Sequence, residues 1–293
     1  MYHARRTDKV ILVMRISEIN IYPIKSLKGI SVESAVVERR GLRLDRRWLI
    51  VDADGNFMTQ RELPHMAVVS VSFKGDGVEV SAAGFPTLSI EPPADGERVA
   101  AMVWDSESEA IAHDRQTNEW FSDVLGQDVK LLYMPDDAGR PISERFNKGG
   151  EIVSFADGYP LLVIGEASLA DLNSRLDAPL PMNRFRPNIV VSGSAAFAED
   201  DWAEMRVGEA VFRSTKPCAR CVITTVDQAK GDFDGKEPLK TLASYRMAKD
   251  VIPDRFAAFG MSETAVLFGQ NLIAESPGAE IRVGDPVEVI KYY

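Results

Sequence analysis

Short stretches of alternating apolar and polar residues dominate the first half of the chain, and this pattern predicts half-buried β-strands. The first stretch, ISEINIYPI, begins at Ile16, and SVESAVVE, RWLIVDADGNFMT and MAVVSVSF are further β-type runs. Asp54 and Gly55 separate WLIV from FMT and predict a hairpin turn. Because the pattern begins only after Met14, Met14 is a candidate translation start besides Met1.

A short helix is predicted in each half of the chain. TNEWFSDVLG has a helical pattern that begins near Thr117 and ends at Gly126. In EASLADLNSRL, Ser168 and Asp171 fit a capping box. The apolar face of this second helix consists of Leu169, Leu172 and Leu176.

The rest of the second half again predicts strands. PLLVIG is typical of a buried strand, and PNIVVSG, AVFRS and CVITTVD are further strand patterns. The hexads RVGEAV (206–211) and RVGDPV (282–287) repeat a turn-then-strand pattern, which predicts two similar hairpin entries. Strands this short and closely spaced favour a barrel over a parallel sheet.

The stretch YMPDDAGRPISERFNKGG, at 133–150, gathers proline, glycine and charge, which predicts a domain boundary or a mobile loop. A chain of 293 residues suits two ordinary domains. We therefore expect an N-terminal domain at 15–135, a linker at 136–150 and a second domain at 151–293.

Composition and charge favour some functional classes of protein and argue against others. With 45% hydrophobic and 27% charged residues, the chain is typical of soluble globular proteins. The longest apolar run near the start, Val10 to Met14, is far shorter than the roughly 20 residues that cross a bilayer, so we expect no membrane segment. Two cysteines cannot form a disulfide scaffold, which favours a reducing, cytoplasmic setting. A net charge of −10 argues against a nucleic-acid partner but allows a small basic pocket for an anionic cofactor.

Both cysteines, Cys218 and Cys221, lie in the stretch KPCARCVITTVD. A structural zinc site commonly needs four ligands, and His3, His65 and His113 are scattered far from the pair, which disfavours zinc. A dithiol redox couple fits the C-x-x-C spacing. However, CVITTVD predicts a strand, whereas such couples belong at a helix N-terminus.

Two further interpretations of the pair remain open. Both cysteines are able to pack as small, half-buried hydrophobic side chains. Alternatively, a single thiolate works as a soft-metal ligand, because Lys216 and Arg220 flank the pair and nearby cations favour the thiolate form.

Several basic residues near predicted strand ends are candidates for binding an anion. In YPIKS, Lys25 and Ser26 follow the first strand, and in LDRRW one of Arg46 and Arg47 could point inward as an anion clamp. In NRFRPNIVV, Arg186 precedes a proline, which predicts extended backbone at a strand entrance. Each signal is weak alone, but together they indicate one anionic ligand in an acidic protein.

These motifs occur in an order that resembles the MOSC proteins, the relatives of the C-terminal domain of molybdenum cofactor sulfurase. The resemblance covers roughly residues 15–290, and it is carried by YPIKSLKG, GLRLDRRWLIVD, NRFRPNIVVSG, EDDWAEMRVGEAVF, KPCARCVITTVD, EPLKTLASYR and LFGQNL. Within that family the chain is similar to the mitochondrial amidoxime-reducing component and its bacterial counterparts. The resemblance implies a β-rich α+β fold, in which a C-terminal MOSC β-barrel with peripheral helices follows an N-terminal mixed, barrel-like β domain.

The resemblance also implies a molybdenum cofactor, a molybdenum–molybdopterin complex, with Cys221 as the thiolate bound to the metal. Lys25, Ser26 and Arg46 match positions that hold the pterin and its phosphate. The other matched cofactor positions are Gly158, Tyr159, Arg186, Asn188, Ala219, Arg220 and Asn271. Asp157, just before the first two of these, is a candidate catalytic proton carrier.

The function that the resemblance implies is the reduction of small N-hydroxylated compounds by a molybdenum-dependent oxidoreductase. Two cysteines cannot supply the thiolates of an iron–sulfur cluster, so we expect a separate electron donor, either a ferredoxin, a cytochrome or a flavoprotein reductase. The alternative is a sulfur carrier or cofactor-delivery protein with a persulfide on Cys221. A dithiol oxidoreductase is the third hypothesis.

Overall fold

A computed structural model describes residues 13–293 of the chain. His3 and the candidate start at Met1 lie outside these residues. Within them, no helix combines the length and apolar character that crossing a membrane requires.

Short strands make up most of the regular structure. In chain order, the strands are β1 (Arg15–Ile21), β2 (Ile30–Val32), β3 (Ser34–Glu38), β4 (Gly41–Leu42), β5 (Trp48–Asp52), β6 (Ser70–Lys74), β7 (Gly77–Ser81), β8 (Leu88–Ile90), β9 (Arg98–Val103), β10 (Ser106–Ala112), β11 (Val129–Tyr133), β12 (Arg140–Pro141), β13 (Ile152–Val153), β14 (Leu161–Gly165), β15 (Ile189–Ser192), β16 (Trp202–Val207), β17 (Ala210–Ala219), β18 (Val226–Asp227), β19 (Asp232–Phe233), β20 (Leu267–Ala274), β21 (Glu280–Arg282) and β22 (Val287–Tyr292). The α-helices are α1 (Arg115–Leu125), α2 (Glu166–Asn173), α3 (Leu239–Ala243) and α4 (Ala248–Val251). The 3-10 helices are Pro64–Val68, Met182–Arg184, Ala198–Asp201 and Val222–Thr225.

An eight-stranded sheet in the order β2-β1-β15-β14-β20-β17-β16-β22 forms the centre of the fold. Its neighbours pair antiparallel except for β14 and β15, which are parallel. Four-stranded (β5-β11-β10-β9) and three-stranded (β6-β7-β8) sheets come from the first half of the chain, and β21 pairs with β3 in another. The predicted β-rich α+β fold is confirmed, and strands from both predicted domains share sheets.

Strand β14, with the sequence LLVIG, is buried along its whole length. Leu161 and Val163 belong to the apolar cluster on one side of the sheet. Leu162 and Ile164 belong to a second cluster, which includes Leu172 of α2. Because successive side chains of a strand point to opposite faces, a central strand with apolar cover on both faces needs a continuous apolar run.

Most local predictions for the first half are confirmed. However, the MAV of the predicted strand run MAVVSVSF lies in the 3-10 helix Pro64–Val68, and FMT contributes only an isolated bridge from Phe57 to Val51. Helix α1 begins two residues earlier than Thr117, because the Asp114 carboxylate caps it by accepting a hydrogen bond from the Thr117 N–H at 2.8 Å. Gly126 follows the helix with φ 71°, a left-handed conformation that glycine adopts without steric cost. The predicted turn at Gly55 is present, with the Asp52 N–H donating to the Asn56 carbonyl at 2.9 Å.

The predicted capping box of α2 is wrong. The helix begins at Glu166, so Ser168 lies inside it, and its hydroxyl donates to the buried Glu199 carboxylate at 2.9 Å. The same hydroxyl accepts a hydrogen bond from the Phe197 N–H at 2.8 Å. Ser168 therefore makes a tertiary contact that the local sequence pattern does not reveal. The predicted apolar face is confirmed, since Leu172 is buried and Leu169 and Leu176 pack against the same cluster.

The two similar hexads have different structures. The first forms the β16–β17 hairpin, with Gly208 at φ 55° in the turn. The second also turns at a glycine, Gly284 at φ 90°, but β21 pairs with β3 while β22 pairs with β16. The prediction of two similar hairpin entries is therefore wrong for the second hexad, which connects two sheets.

The segment at 136–150 is fixed to its surroundings by Arg140, which is 1% exposed. Its guanidinium donates to the carbonyl of Val103 at 3.0 Å, of Ser154 at 3.1 Å and of Ala156 at 2.5 Å. These bonds attach the segment to strand β9 and to the chain that leads into β14. The domain limits themselves stay predictions.

Replacing Arg140 tests this attachment. Arg140→Met leaves buried carbonyl oxygens without donors and is expected to lower the free energy of unfolding by about 3 kcal/mol or more. Urea unfolding of the purified protein measures the change. Arg115→Met is the control, because its side chain is 90% exposed and pairs only with Glu119. We expect a change below about 0.5 kcal/mol there, and equal losses in both variants would contradict the role of Arg140.

Candidate functional site

A cavity of about 150 Å³ lies where the loops after β1, before β14 and before β15 meet the end of β17. Every site residue predicted from the sequence lines it: Lys25, Ser26, Arg46, Asp157, Gly158, Tyr159, Arg186, Asn188, Ala219, Arg220, Cys221 and Asn271. The structure thus brings the set together, while the chemical role of each residue stays a prediction.

The pairing of β1 with β15 builds one wall of this cavity. The Asn20 N–H donates to the Asn188 carbonyl at 2.8 Å, and the Asn188 side chain donates back to the Asn20 carbonyl at 3.1 Å. One step further on, the Tyr22 hydroxyl donates to the Pro187 carbonyl at 3.0 Å. These bonds hold the loop that carries Lys25 against the loop that carries Arg186.

Two arginines pack on the ring of Tyr22, with the guanidinium carbons of Arg46 and Arg186 at 4.2 Å and 4.3 Å from its centre. Such cation–π contacts stabilise buried guanidinium groups. Arg46 also donates to the Asp45 carboxylate at 2.6 Å and to the Asn188 side-chain oxygen at 3.1 Å. Of the two arginines that precede β5, Arg46 is therefore the one that faces the cavity. Arg47 is buried elsewhere, against the Met134 carbonyl.

The predicted extended backbone at Arg186 is wrong, since its φ is 54°. The 3-10 helix Met182–Arg184 ends two residues before Arg186, and the Arg186 N–H donates to the Asn183 carbonyl at 3.3 Å. The Arg186 carbonyl in turn accepts a hydrogen bond from Arg46 at 3.4 Å. Left-handed backbone is uncommon for residues other than glycine, and here tertiary contacts hold it beside the cavity.

Positive charge in this wall exceeds negative charge. Burial lowers the pKa of Arg186 to about 10, so the side chain remains a cation at neutral pH. Burial also raises the pKa of Tyr22 to about 12, which leaves the phenol neutral. Asp45 balances Arg46, but one Arg186 nitrogen, Nη2, is buried without a hydrogen-bond partner among the described residues. An anion in the cavity would supply the missing partner.

Lys25 and Asp157 form an ion pair at the cavity, with the Lys25 ammonium at 2.6 Å from the carboxylate and 2.9 Å from the Phe155 carbonyl. Burial lowers the pKa of Lys25, and the carboxylate opposes that shift. Burial alone would raise the pKa of Asp157, but the charge and hydrogen bond of Lys25 outweigh it and hold the pKa well below its usual range. Water reaches 58% of the Asp157 side chain and screens this pair.

Cys221 does not precede a strand, so the strand predicted for CVITTVD is wrong. It comes directly before the 3-10 helix Val222–Thr225, and only Val226 and Asp227 form a short strand. The Thr224 hydroxyl donates to the Cys221 carbonyl at 3.0 Å, and the Thr225 hydroxyl donates to the Val222 carbonyl at 2.8 Å. Threonine hydroxyls thus provide local hydrogen bonds that compete with a strand.

Arg61 is a site residue that the sequence analysis missed. Its guanidinium donates to the Cys221 sulfur at 3.3 Å, across 160 positions of sequence. Its positive charge stands directly beside the thiol. Since TQRE resembles an ordinary polar turn, no local signal singles out this arginine.

The two cysteines have different surroundings. Both are free thiols. The Cys218 sulfur lies in β17, packs against the apolar cluster beneath α2 and accepts a hydrogen bond from Arg220 at 3.0 Å. Arg220 also donates to the Phe185 carbonyl at 2.6 Å. Among the described residues, no group of three or more histidine, cysteine or acidic side chains could hold a metal ion.

The remaining predicted residues line the other side of the cavity. The Asn271 side chain, on β20, donates to the Lys216 carbonyl at 3.0 Å. The Lys216 ammonium lies 5.7 Å from the ring centre of Tyr159, whose pKa burial raises to about 12. A side chain at Gly158 would meet no atom within 4 Å, so the cavity is open above it. Ala219 is exposed at the end of β17.

Comparison with known proteins places the chain in a family. A family model described as "MOSC N-terminal beta barrel domain" matches residues 13–128, and one described as "MOSC domain" matches residues 150–288. The chain belongs to the MOSC-domain family.

Curated relatives of this MOSC protein match it over nearly its whole length. Mitochondrial amidoxime-reducing component 1 of Mus musculus is 37% identical over 98% of this chain and 85% of its own. The component 1 of Homo sapiens is 36% identical over 98% of this chain and 86% of its own. Component 2 of Bos taurus is 35% identical over 93% of this chain and 82% of its own. The predicted resemblance is confirmed, while these vertebrate relatives give no support to a bacterial source.

The cavity joins the two parts that the MOSC family models match. Lys25, Ser26 and Arg46 come from the N-terminal match, and Arg186 and Cys221 come from the MOSC match. Neither part alone supplies both the thiol and the full set of cations. Other lining residues that the sequence analysis missed are Thr59, Ala156, Leu161, Leu162, Arg184, Phe185, Ile223 and Thr224.

Binding of an inorganic anion tests the charge of this MOSC cavity. Arg186→Met removes the cation whose Nη2 lacks a partner, and we expect pyrophosphate to bind about tenfold more weakly, or worse. Calorimetric titration of protein from a host that cannot make a pterin cofactor measures the dissociation constant. Arg206→Met removes the same charge from an exposed site on β16. This control variant should leave the dissociation constant of pyrophosphate unchanged. Equal weakening in both variants would show general electrostatic attraction instead.

Proposed function

We propose that this protein binds a molybdenum cofactor around Cys221 and uses it to reduce N-hydroxylated compounds. The observation that carries the proposal is the meeting of free, half-buried thiols with an excess of buried cations in a single cavity. Family membership supports the cofactor, and the relatives' name, amidoxime-reducing component, supports the reaction class.

The residues present fit such a cofactor. Molybdenum in proteins takes sulfur ligands, and Cys221 offers a thiol at the cavity, which Cys218 also lines. The partnerless nitrogen of Arg186, together with Arg46 and Lys25, suits the phosphate of a pterin, because guanidinium and ammonium groups form strong charge-assisted hydrogen bonds with phosphate oxygens. The open space above Gly158 leaves room for a bound group.

The proposed reaction breaks the N–O bond of the substrate. It consumes two electrons and two protons, and the oxygen leaves as water while nitrogen keeps its other substituents. When bound, the cofactor supplies the two-electron centre. The protein's own residues would hold the cofactor in place. Cys221 would bind the metal, Arg46 and Arg186 would bind the phosphate, and Arg61 lies beside the Cys221 sulfur.

The ion pair with Lys25 argues against Asp157 as the proton carrier. A carboxyl group whose pKa lies well below its usual range is ionised at neutral pH and holds no proton to deliver. In this arrangement the proton resides on the Lys25 ammonium, whose pKa burial lowers. Solvent that reaches the exposed side of Asp157 is therefore the proposed source of protons.

Electrons for the reaction come from a separate donor, which we propose to be a ferredoxin, a cytochrome or a flavoprotein reductase. Two cysteines, of which one is assigned to the metal, leave too few thiolates for an iron–sulfur cluster in this chain.

A cytoplasmic location accords with two free thiols.

Metal analysis of cysteine variants tests the proposed ligand. In protein made in a host that supplies the cofactor, we expect stoichiometric molybdenum, loss of the metal in Cys221→Ser, and retention in Cys218→Ser. The serine oxygen is a harder donor than sulfur and binds molybdenum poorly in its place. Elemental analysis by mass spectrometry measures the metal content.

The matched cysteine variants also separate the competing functions. Equal metal retention in both variants would overturn the assignment of Cys221. A reducible sulfur adduct on Cys221, in protein without bound pterin, would instead support a sulfur carrier. Activity that needs both thiols and no metal would support a dithiol oxidoreductase.

A further inference from the structure

A second cleft, of about 340 Å³, lies next to the Cys221 cavity, and none of the predicted site residues lines it. Its walls include the side chains of Phe57, Met102 and Trp104, with Arg61 and Glu62 at the edge. Glu62 already accepts hydrogen bonds from the Thr59 hydroxyl at 2.6 Å and the Thr59 N–H at 3.2 Å. Asn56 also lines the cleft, which therefore combines an aromatic and thioether wall with a polar edge, as sites for small organic ligands often do.

Trp104 is the most distinctive residue of this cleft. It is 48% exposed, whereas Trp48, Trp120 and Trp202 are at most 8% exposed. Its backbone is left-handed, with φ 55°, in the tight turn between β9 and β10. Such a conformation is strained for a bulky residue and often marks a functional position.

Contacts on the indole fix its orientation. The ring of Phe57 meets it edge-on, with ring centres 5.1 Å apart, and the Arg61 guanidinium carbon lies 4.8 Å from its centre. The indole N–H points at the Asp157 carboxylate, at 3.4 Å. Despite these contacts nearly half of its surface faces solvent, so a flat ligand has room to pack against it.

Arg61 and Asp157 connect the cleft to the cavity that holds the thiol. Arg61 lies over Trp104 with its guanidinium and donates to the Cys221 sulfur at 3.3 Å. Asp157, which accepts from Trp104, lines the cavity that holds Cys221. A single guanidinium group therefore spans the gap between the Trp104 indole and the Cys221 sulfur.

We propose that this cleft binds the planar aryl or heteroaryl group of the N-oxygenated substrate, and that it directs the N–O group towards Cys221. The inference rests on the proposed function and adds a substrate class to it. Aromatic rings stack favourably on tryptophan, and the thioether of Met102 adapts to flat groups of varied outline. Trp104 is thus a specificity-determining residue that acts on the substituent and not on the reacting atoms.

Two amidoximes that differ only in this substituent test the proposal. Benzamidoxime carries a phenyl group where acetamidoxime carries a methyl group. In the molybdenum-loaded enzyme, Trp104→Ala is expected to lower kcat/KM for benzamidoxime about tenfold, mainly through KM, because a stacking contact is lost. The value for acetamidoxime should not change. Trp104→Phe, which keeps an aromatic face, should retain most of the activity with benzamidoxime.

Phe85→Ala is the matched control, since Phe85 is an exposed aromatic residue, 38% accessible, that lines neither cavity. It should leave both substrates unaffected. If Trp104→Ala lowers kcat/KM for both amidoximes by the same factor, or for neither, the cleft does not select the aryl group and the proposal is overturned.

Tryptophan fluorescence gives a measure of binding that needs no turnover. Because the other tryptophans are buried, benzamidoxime should quench or shift the emission of Trp104, acetamidoxime should not, and the response should vanish in Trp104→Phe. If the wild-type protein reduces neither amidoxime but still shows this response, the cleft binds the aryl group as proposed and the proposed reductase function is wrong. Absence of the response, with reduction of both compounds intact, overturns the cleft alone. A response only to an added electron-donor protein would assign the surface to that partner and overturn the substrate proposal.

Discussion

Buried positive charge is the constraint on which the site depends. Asp45 and Asp157 neutralise Arg46 and Lys25, but Arg186 has no carboxylate partner among the described residues. Burying a charge without a partner is costly, and packing on Tyr22 offsets only part of that cost. A fold keeps such an arrangement where an anionic ligand completes it, which is why the charge of the cavity is the strongest indication of a phosphate-bearing cofactor.

The arrangement of charges follows from one strand pairing. Strand β1, near the start of the chain, joins β15 from the MOSC part, with Ile19 opposite Ile189. This register sets the Tyr22 loop against the Arg186 loop. Since a slip by one residue would turn every side chain of β1 to the opposite face, the apolar core that fixes the register also fixes the cavity. The N-terminal part is thus integral to the site.

Patterns within a short window predicted the elements that local forces determine. Most strands and α1 follow from periodicity, and the structure adds the cap at Asp114 that starts α1. Predictions failed where a distant partner prevails, as at Ser168, which binds Glu199, and at Arg186, whose backbone is held left-handed. From residues alone, the basic positions were weak signals that together indicated one anionic ligand, and the family resemblance added the remaining cofactor positions. Arg61 and Trp104 reach the site only through folding, so no local pattern could identify them.

The central claim is that the Cys221 sulfur binds molybdenum within this cavity. A crystal structure of protein purified from a cofactor-supplying host, with diffraction data recorded on both sides of the molybdenum absorption edge, tests it most directly. The account predicts one anomalous peak at bonding distance from the Cys221 sulfur, with phosphate density against Arg46 and Arg186. A molybdenum peak away from Cys221, or a filled cavity that gives no such peak, would contradict it.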